Sequence, residues 1–360
     1  FDAGAVISAS HNPYPDNGIK FFDANGYKLP DEVEDELEKY VRQSADNELA
    51  RPTGDGIGKI EFNSNLAHLY AHFVRHTIDT SLEGLTIAYD GANGAASSVG
   101  PEILSGLGAK VININVNPDG LNINHHCGST HIEGLQVAVQ QHNADLGIAN
   151  DGDADRCLLV DEKGQVLDGD QIMLLCALKL KEEGKLKGDT IVGTVMSNIG
   201  FHKAAEELGM KTVSTAVGDR YVLEYMREHN LSVGGEQSGH VIFLDHNTTG
   251  DGMLTAVQVA ALMKEKKQPL SELAGIMTKY PQVLVNVRVA TKTGWEDNDL
   301  IKAAIVTAEG ELGDEGRVLV RASGTEPLIR VMAEGPNQEE LQSLCQEIAD
   351  IIGREQGLAE

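Results

Sequence analysis

The sequence predicts a multidomain α/β protein that ends in a small α+β domain. Up to about residue 280, a short apolar run, a turn rich in Gly, Asn, Asp or Ser, and a helix-period segment recur several times. Beyond that point the order becomes strand, helix, strand, strand and helix, which is typical of an antiparallel sheet covered by helices. With 360 residues, the chain also exceeds the size of one small core, so several domains are expected.

Each element is assigned from its own pattern. Apolar runs bounded by turn residues predict strands at 4–7, 85–89, 110–116, 145–149, 157–160, 190–195, 212–216, 283–289, 317–322 and 328–334. Apolar positions spaced by three or four residues predict a helix that ends near 107 and helices at 201–208, 221–228, 254–264, 300–309 and 339–352. The points where each series ends divide the chain into segments 1–65, 66–164, 165–280 and 281–360.

The charge balance and the cysteine spacing exclude several classes of function. The 55 acidic and 29 basic residues give a formal charge of −26, which repels nucleic-acid backbones and anionic lipid headgroups. The four cysteines lack the close spacing of a zinc site or a redox motif. No apolar run reaches the length of a membrane span. We therefore expect a cytoplasmic protein with neither nucleic acid nor membrane as a partner.

The first chemical motif is the Ser10 loop, residues 8–13, which reads Ser-Ala-Ser-His-Asn-Pro. It follows the first predicted strand and is stiffened by prolines, so it can present a hydroxyl at the end of a sheet. Ser10 and His11 are also the residue types of a serine hydrolase. However, neighbours on an extended chain point to opposite sides, and a Gly-x-Ser-x-Gly turn is absent. An ordinary polar turn is the alternative.

The aspartate loop, residues 151–156, reads Asp-Gly-Asp-Ala-Asp-Arg and is the strongest local signal. Its carboxylates, Asp151, Asp153 and Asp155, stand at alternate positions and can converge on one hard cation such as Mg²⁺ or Ca²⁺. Arg156 can then face a phosphate held by that cation. A solvated acidic turn is the alternative. An EF-hand calcium loop is excluded because Arg156 occupies the position that needs glycine.

The Glu236 loop, residues 234–240, reads Gly-Gly-Glu-Gln-Ser-Gly-His. Its glycines let the backbone approach a ligand closely, while Glu236, Ser238 and His240 offer the donors and acceptors that sugar hydroxyls need. Taken alone, an ordinary β-turn explains it better. The Gly-Asp-Arg segment at 218–220 opens a predicted helix and is equally well explained as a helix cap.

The arginine loop, residues 321–330, begins Arg-Ala-Ser-Gly-Thr-Glu-Pro. Two arginines, two hydroxyls and a glycine-exposed backbone N–H form an anion site that suits a phosphate dianion. The residues concerned are Arg321, Ser323, Gly324, Thr325 and Arg330. In a chain this acidic, a local basic turn favours binding over the alternative, a hairpin with surface arginines.

In this order along the chain, the four loops resemble the α-D-phosphohexomutase superfamily, and the resemblance covers the whole chain. The superfamily's Ser/Thr-x-Ser-His-Asn-Pro segment matches residues 8–13, and its Asp-x-Asp-x-Asp-Arg loop matches residues 151–156. Gly-Glu-Gln-Ser-Gly-His at 235–240, Cys-Gly-Ser-Thr at 127–130 and residues 215–220 are similar to the branch that acts on glucosamine phosphates. Phosphomannomutase/phosphoglucomutase enzymes usually have Met at the position of Gln237.

The resemblance implies three mixed-sheet α/β domains and a fourth α+β domain around a central cleft, with one loop from each. It implies an isomerase that interconverts glucosamine 6-phosphate and glucosamine 1-phosphate through a phosphorylated Ser10 and a 1,6-bisphosphate intermediate, on the route to UDP-N-acetylglucosamine and peptidoglycan precursors. The small phosphosugar is the expected partner, and the chain is expected to be a monomer or homodimer. The superfamily's opening strand and helix are expected before Phe1.

The resemblance also implies the roles of individual residues. One Mg²⁺ per chain would be bound by the three aspartates and by the Ser10 phosphate, and a hexose 1,6-bisphosphate would act as activator. The general base would be Lys20 or His11, with Arg156 near the transferring group. The Glu236 loop would bind the sugar, and the arginine loop would bind the distal phosphate.

Two alternatives stay open. The first is a phosphoglucomutase or phosphomannomutase of the same superfamily. The second is a non-catalytic phosphosugar-binding chain. An aspartyl phosphatase with Asp151 as nucleophile is disfavoured, because it would leave the Ser10 loop unexplained.

Overall fold

The computed structural model describes residues 1–42, 52–323 and 326–357. These residues form two compact units, each built from two stretches of the chain. The first unit comprises Phe1–Val195 and Val213–Gly275, and the second comprises Met196–Thr212 and Ile276–Glu360. The fold is described below for each unit by itself.

Strands and helices alternate along most of the chain. The strands are β1 (Gly4–Ser8), β2 (Gly18–Phe22), β3 (Thr86–Asp90), β4 (Lys110–Ile114), β5 (Leu146–Asn150), β6 (Cys157–Asp161), β7 (Val166–Leu167), β8 (Thr190–Thr194), β9 (Lys211–Thr215), β10 (Val233–Gly235), β11 (Val241–Phe243), β12 (Gln282–Arg288), β13 (Arg317–Ala322) and β14 (Leu328–Glu334). The helices are α1 (Asp31–Arg42), α2 (Asn65–Arg75), α3 (Val99–Gly106), α4 (Glu133–His142), α5 (Gly169–Glu182), α6 (Ile199–Glu207), α7 (Asp219–Glu228), α8 (Gly252–Lys266), α9 (Leu270–Leu273), α10 (Asp299–Leu312) and α11 (Gln338–Gln356).

The sheets of the first unit place the candidate site at strand ends. β1 and β2 form an antiparallel hairpin. The next sheet has the order β4-β3-β5-β6-β7, in which β3 runs parallel to β4 and β5, and β6 runs antiparallel to β5. Every residue of β5 is buried, as expected for a strand covered on both faces. A third sheet has the order β11-β10-β8-β9.

Side-chain caps begin the long helices. The carboxylate of Asp168 accepts backbone N–H groups at the start of α5, and that of Asp251 does so for α8. In the second unit, Asn298 and Asn337 cap α10 and α11 in the same way. Such caps satisfy N–H groups that have no partner within the helix, and each contributes about 1 kcal/mol.

The second unit contains a three-stranded antiparallel sheet with the order β12-β14-β13. Its core is formed by apolar side chains of the sheet and of α10 and α11, including Ile301, Ile329, Val331, Leu341 and Ile348. The predicted α+β character of this segment is confirmed, and β13 and β14 have the predicted bounds.

The sequence analysis assigned neither α1 nor α5. α1 does carry apolar residues at helical spacing, Val33, Leu37, Tyr40 and Val41, although none of its residues is buried. By contrast, α5 buries most of its first nine residues, so its apolar positions do not favour one face. Sequence periodicity detects helices that are apolar on one side only.

Among the described residues, no helix combines the length and the apolar character that crossing a lipid bilayer requires.

Candidate active site

The Ser10 loop leaves β1 and turns sharply at Ser10. Ser10 has a φ of 52°, a left-handed backbone conformation that few residues other than glycine adopt. The N–H of Ser10 donates to Oγ of Ser8 over 2.8 Å. Its carbonyl oxygen accepts the backbone N–H of Gly152 over 3.1 Å. The Ser10 loop and the aspartate loop are therefore joined backbone to backbone.

The expectation that Ser10 and His11 point apart is wrong. Ser10 Oγ lies 3.2 Å from His11 Nδ1, which is within hydrogen-bond reach. The expectation assumed an extended chain, whereas the left-handed turn at Ser10 brings the two neighbouring side chains to the same side. Burial, followed by the charge of Arg156, lowers the pKa of His11.

Lys20 reaches the aspartate loop from the hairpin. It lies on β2 opposite Val6 of β1. Its Nζ donates to Asp153 Oδ2 over 2.7 Å and lies 3.5 Å from Asp155 Oδ2. Burial opposes the charge of the ammonium, but the bond to Asp153 and the charges of both carboxylates outweigh it and raise the pKa of Lys20. Lys20 is thus held against the carboxylates of Asp153 and Asp155.

Asp151, Asp153 and Asp155, the aspartate trio, converge at the end of β5. Ligand oxygens of the three carboxylates lie within 4.8 Å of one another. The loop reverses direction through Ala154, whose φ of 61° is left-handed, so β6 returns antiparallel beside β5. This reversal folds the alternate positions of the aspartate loop onto one point.

The trio carries more negative charge than its surroundings neutralise. Burial, followed by the charges of Asp155 and Asp153, raises the pKa of Asp151. Burial also acts against the charge of Asp155, but His240, Lys20 and Arg156 outweigh it and hold the pKa of Asp155 well below its usual range. A cation bound by the trio would relieve this repulsion.

The donor set fits a divalent metal ion. Buried oxygens of all three carboxylates, Asp151 Oδ2, Asp153 Oδ1 and Asp155 Oδ1, have no hydrogen-bond partner. Buried polar atoms are normally paired, and converging carboxylate oxygens are the ligands of hard cations. The trio can therefore bind a metal ion. Within residues 1–42, 52–323 and 326–357, no other three metal-ligating side chains converge as closely.

The Glu236 loop is built directly onto the aspartate loop. The carbonyl oxygen of Gly239 accepts the N–H of Cys157 over 2.9 Å, and Arg156 and His240 form an antiparallel backbone bridge. Gly239 has a φ of +95°, and a Cβ on it would lie 2.4 Å from the carbonyl oxygen of Cys157. Only glycine fits this close approach.

Glu236 connects its loop to the start of α7. Its Oε1 accepts the backbone N–H of Gly218 over 3.0 Å. Glu236 is half-buried, and Ser238 is exposed. The predicted contacts of these side chains with a sugar stay predictions.

His240, the last residue of the Glu236 loop, lies beside the aspartate trio. Its Nε2 accepts the N–H of Gly250 over 3.1 Å, which places the ring proton on Nδ1. That Nδ1 lies 3.5 Å from Asp155 Oδ2. A Cβ on Gly250 would come within 2.5 Å of the ring, so the glycine is required by the histidine. The predicted sugar-binding role of His240 also stays a prediction.

In the arginine loop of the second unit, two positively charged side chains stand opposite each other. Arg321 and Arg330 are directly paired across β13 and β14. Burial, followed by the charge of Arg330, lowers the pKa of Arg321. Like charges opposite each other destabilise a sheet, but Arg330 also donates to a carboxylate oxygen of Glu326 over 3.1 Å. The predicted phosphate-binding role of the two arginines stays a prediction.

A further cation adjoins the arginine loop. Ser323 is buried, and its carbonyl oxygen accepts Lys292 Nζ over 2.7 Å. Lys292 was not identified from the sequence. Gly324 and Thr325, which the sequence predicts as phosphate ligands, lie outside the described residues.

Asn124 is a second residue that sequence reasoning missed. Its Nδ2 donates to the carbonyl oxygens of Ser10 and Asn12, each over 2.8 Å. Asn124 and Ser10 lie 114 residues apart, so no local pattern connects them.

A cavity of about 400 Å³ adjoins the trio, and Lys20, Lys28, Asp153, Asp155 and Asp219 line one part of its wall. Lys28 Nζ lies 2.9 Å from Asp219 Oδ2. Cavities of this size hold small ligands. The structure thus brings Ser10, His11, Lys20, the trio, Arg156 and His240 together in the first unit.

Family models match the chain in four successive pieces. They are described as phosphoglucomutase/phosphomannomutase α/β/α domain I at residues 1–48, domain II at 66–164, domain III at 168–280 and the C-terminal domain at 284–351. The predicted fold class is therefore confirmed. The predicted segment boundaries stay predictions.

Individual proteins extend the comparison. A phosphoglucosamine mutase of Symbiobacterium thermophilum is 56% identical over 356 residues, which are 98% of this chain and 79% of that protein. A phosphoglucomutase/phosphomannomutase family protein of Burkholderia thailandensis has a TM-score of 0.78 at 23% identity over 98% of this chain and 76% of its own. An Aspergillus fumigatus N-acetylphosphoglucosamine mutase, solved with GlcNAc-6P and magnesium, has a TM-score of 0.75 at 21% identity over 97% of this chain and 88% of its own.

Proposed function

The chain belongs to the phosphoglucosamine mutase family, and from that premise we propose that it interconverts glucosamine 6-phosphate and glucosamine 1-phosphate. The observation that carries this proposal is the hydrogen bond from the N–H of Gly152 to the carbonyl oxygen of Ser10. It holds the backbone of Ser10 beside the aspartate loop, from which we infer that a phosphate on Ser10 would meet the cation site. A phosphoryl carrier next to a cation site is what phosphoryl transfer needs.

The transfer consists of two balanced steps. In the first, the bond between Ser10 Oγ and phosphorus breaks as O1 of glucosamine 6-phosphate bonds to that phosphorus, and the O1 proton passes to a base on the protein. The resulting 1,6-bisphosphate then turns over in the site. Ser10 Oγ bonds to the phosphorus of its 6-phosphate as the bond from O6 to that phosphorus breaks, and the base returns its proton to O6, which leaves glucosamine 1-phosphate. Lys20 and His11 are the two candidates for the base, and Arg156 would face the transferring phosphoryl group.

We assign one Mg²⁺ per chain to the trio together with the Ser10 phosphate. The unpartnered oxygens of the trio support this assignment, as does the magnesium in the Aspergillus fumigatus structure. Bound Mg²⁺ would neutralise charge on the phosphoryl group during transfer. A hexose 1,6-bisphosphate is the proposed activator, because it can phosphorylate Ser10.

The remaining assignments concern the sugar and its surroundings. Glu236, Ser238 and His240 would bind hydroxyls of the sugar. A small phosphosugar is the proposed partner. The cytoplasmic location and the monomeric or homodimeric state stay predictions from the sequence.

Intact-mass and peptide mass spectrometry test this function. After incubation with a hexose 1,6-bisphosphate, we expect one added phosphate, located on Ser10, and none on the Ser10→Ala variant. Failure of the wild-type chain to acquire this phosphate would contradict the mutase function. Assays with glucosamine, glucose and mannose phosphates test the substrate, and dominant turnover of glucose or mannose phosphate would refute the glucosamine assignment.

Replacing Arg321 with alanine tests the phosphate-binding role of the arginine loop. A charge-assisted hydrogen bond contributes about 1.5–3 kcal/mol, so we expect KM for glucosamine 1-phosphate to rise by about 10- to 100-fold. The control is Arg288→Ala, which removes an exposed arginine of β12 in the same sheet. A KM that changes equally little in both variants would contradict the role.

A further inference from the structure

Ser10 holds a backbone conformation that needs support. The left-handed conformation costs a residue with a Cβ about 1–2 kcal/mol, and it persists where surrounding contacts fix it. The carbonyl oxygen of Ser10 accepts two hydrogen bonds, one from Gly152 N–H over 3.1 Å and one from Asn124 Nδ2 over 2.8 Å. Both lone pairs of this oxygen are thereby used.

Asn124 is suited to hold this turn. It is 6% exposed and itself left-handed, with a φ of 56°, which asparagine tolerates better than most residues. Its Nδ2 uses both hydrogens, because it bonds Ser10 and Asn12 at once. Its backbone N–H donates to the carbonyl oxygen of Ala92 over 2.9 Å, which anchors it in the first unit.

The atoms around the carbonyl oxygen of Ser10 are closely packed. A Cβ on Gly152 would lie 2.4 Å from the carbonyl oxygen of Ser10 and 2.7 Å from Asn124 Nδ2. The Ser10 carbonyl is therefore fixed between the aspartate loop on one side and the Asn124 amide on the other.

We propose that Asn124 is a positioning residue for phosphoryl transfer, which aims the Ser10 oxygen by holding the left-handed turn of the Ser10 loop. This rests on the proposed function. Without the amide, Gly152 alone would hold the Ser10 carbonyl, and Asn12 would lose its bond. A displacement of about 1 Å at a reacting atom costs about 100-fold in rate. The donor hydrogens of Asn124 both go to the Ser10 loop, so metal and sugar affinity should change little.

The Asn124→Gly variant tests this proposal, since glycine keeps the left-handed backbone and removes only the amide. Its matched control is Asn143→Gly, which removes another left-handed asparagine, at the C-terminal cap of α4. We expect kcat to fall by about 100-fold in Asn124→Gly, with KM close to that of the wild type. The Mg²⁺ affinity of the unphosphorylated chain, measured by calorimetry, should also stay close to that of the wild type. The control should match the wild type throughout.

Hydrogen exchange of the peptide that contains residues 8–14 gives a readout that needs no turnover. Faster exchange in Asn124→Gly than in Asn143→Gly would support the proposal that Asn124 holds the turn at Ser10. Equal exchange in the two variants would overturn it. A wild-type kcat, or a kcat loss matched by equal losses of Mg²⁺ affinity and thermal stability, would also overturn it. If the wild type transferred no phosphate, the proposed function would fail, and so would the role of Asn124 in phosphoryl transfer. Hydrogen exchange would still show whether Asn124 holds the turn at Ser10.

Discussion

Replacing Asp151 with asparagine is expected to have two effects of opposite sign. Turnover of glucosamine phosphate should fall by about 1000-fold, because the proposed metal site loses one of its three charges. The midpoint of thermal unfolding of the metal-free protein should rise, because burial and the charges of Asp155 and Asp153 disfavour the ionised Asp151. Activity assays with Mg²⁺ and unfolding in EDTA measure the two effects.

The stabilising effect should depend on pH with a definite sign. The pKa of Asp151 is raised in the folded protein, so its ionisation costs stability only above the pKa of the unfolded chain. The gain in Asp151→Asn should therefore vanish below the unfolded pKa, grow as pH rises towards the raised folded pKa, and level off above it.

The matched control is Asp161→Asn, at the end of β6. Asp161 is 3% exposed, and its Oδ1 accepts the N–H groups of Lys163 and Gln165, which asparagine can also do. This control should keep its activity and its stabilisation by Mg²⁺. If Asp151→Asn retained both as well, the metal assignment would be wrong.

Replacing Glu334 with alanine is expected to destabilise the second unit by about 3–5 kcal/mol, the usual cost of breaking a buried ion pair. Glu334 is fully buried and accepts Arg317 Nε over 2.7 Å. It also accepts the N–H of Ile199 over 3.0 Å and amide groups of Asn198 and Gln282. Urea unfolding followed by circular dichroism measures the loss of free energy.

Two variants control for this loss. Glu347→Ala removes an exposed glutamate of α11 in the same unit and should change stability by less than about 0.5 kcal/mol. Glu334→Gln keeps the shape of the side chain and an acceptor oxygen. Its loss of stability should therefore lie between the losses in Glu347→Ala and Glu334→Ala. A loss below about 1 kcal/mol in Glu334→Ala would show that the network contributes little.

The same network explains what periodicity could not predict about the fold. The sequence predicts residues 190–216 as one strand-helix-strand series, and β8, α6 and β9 do occur in that order. Nothing in this pattern shows that α6 groups with the C-terminal residues. The bond from Ile199 to Glu334 spans 135 residues, and the partner of a buried carboxylate is not visible in a local pattern.

For the candidate site too, the sequence predicts some of the residues and not others. The aspartate trio could be predicted because its three members lie within one short loop whose spacing suits a cation. The contact of Lys20 with Asp153 spans 133 residues, and it depends on how the hairpin and the sheet meet. Asn124 was invisible for that reason, since a buried asparagine has no characteristic spacing of its own.

The backbone bridge between Arg156 and His240 constrains how such a site can diversify. Because the Glu236 loop shares this bridge and the bond from Cys157 to Gly239 with the aspartate loop, inserting or deleting a residue in it would displace the trio. The length of the Glu236 loop is therefore tied to the position of the trio, whereas the side chains at positions 237 and 238 can be exchanged without altering either of these backbone contacts.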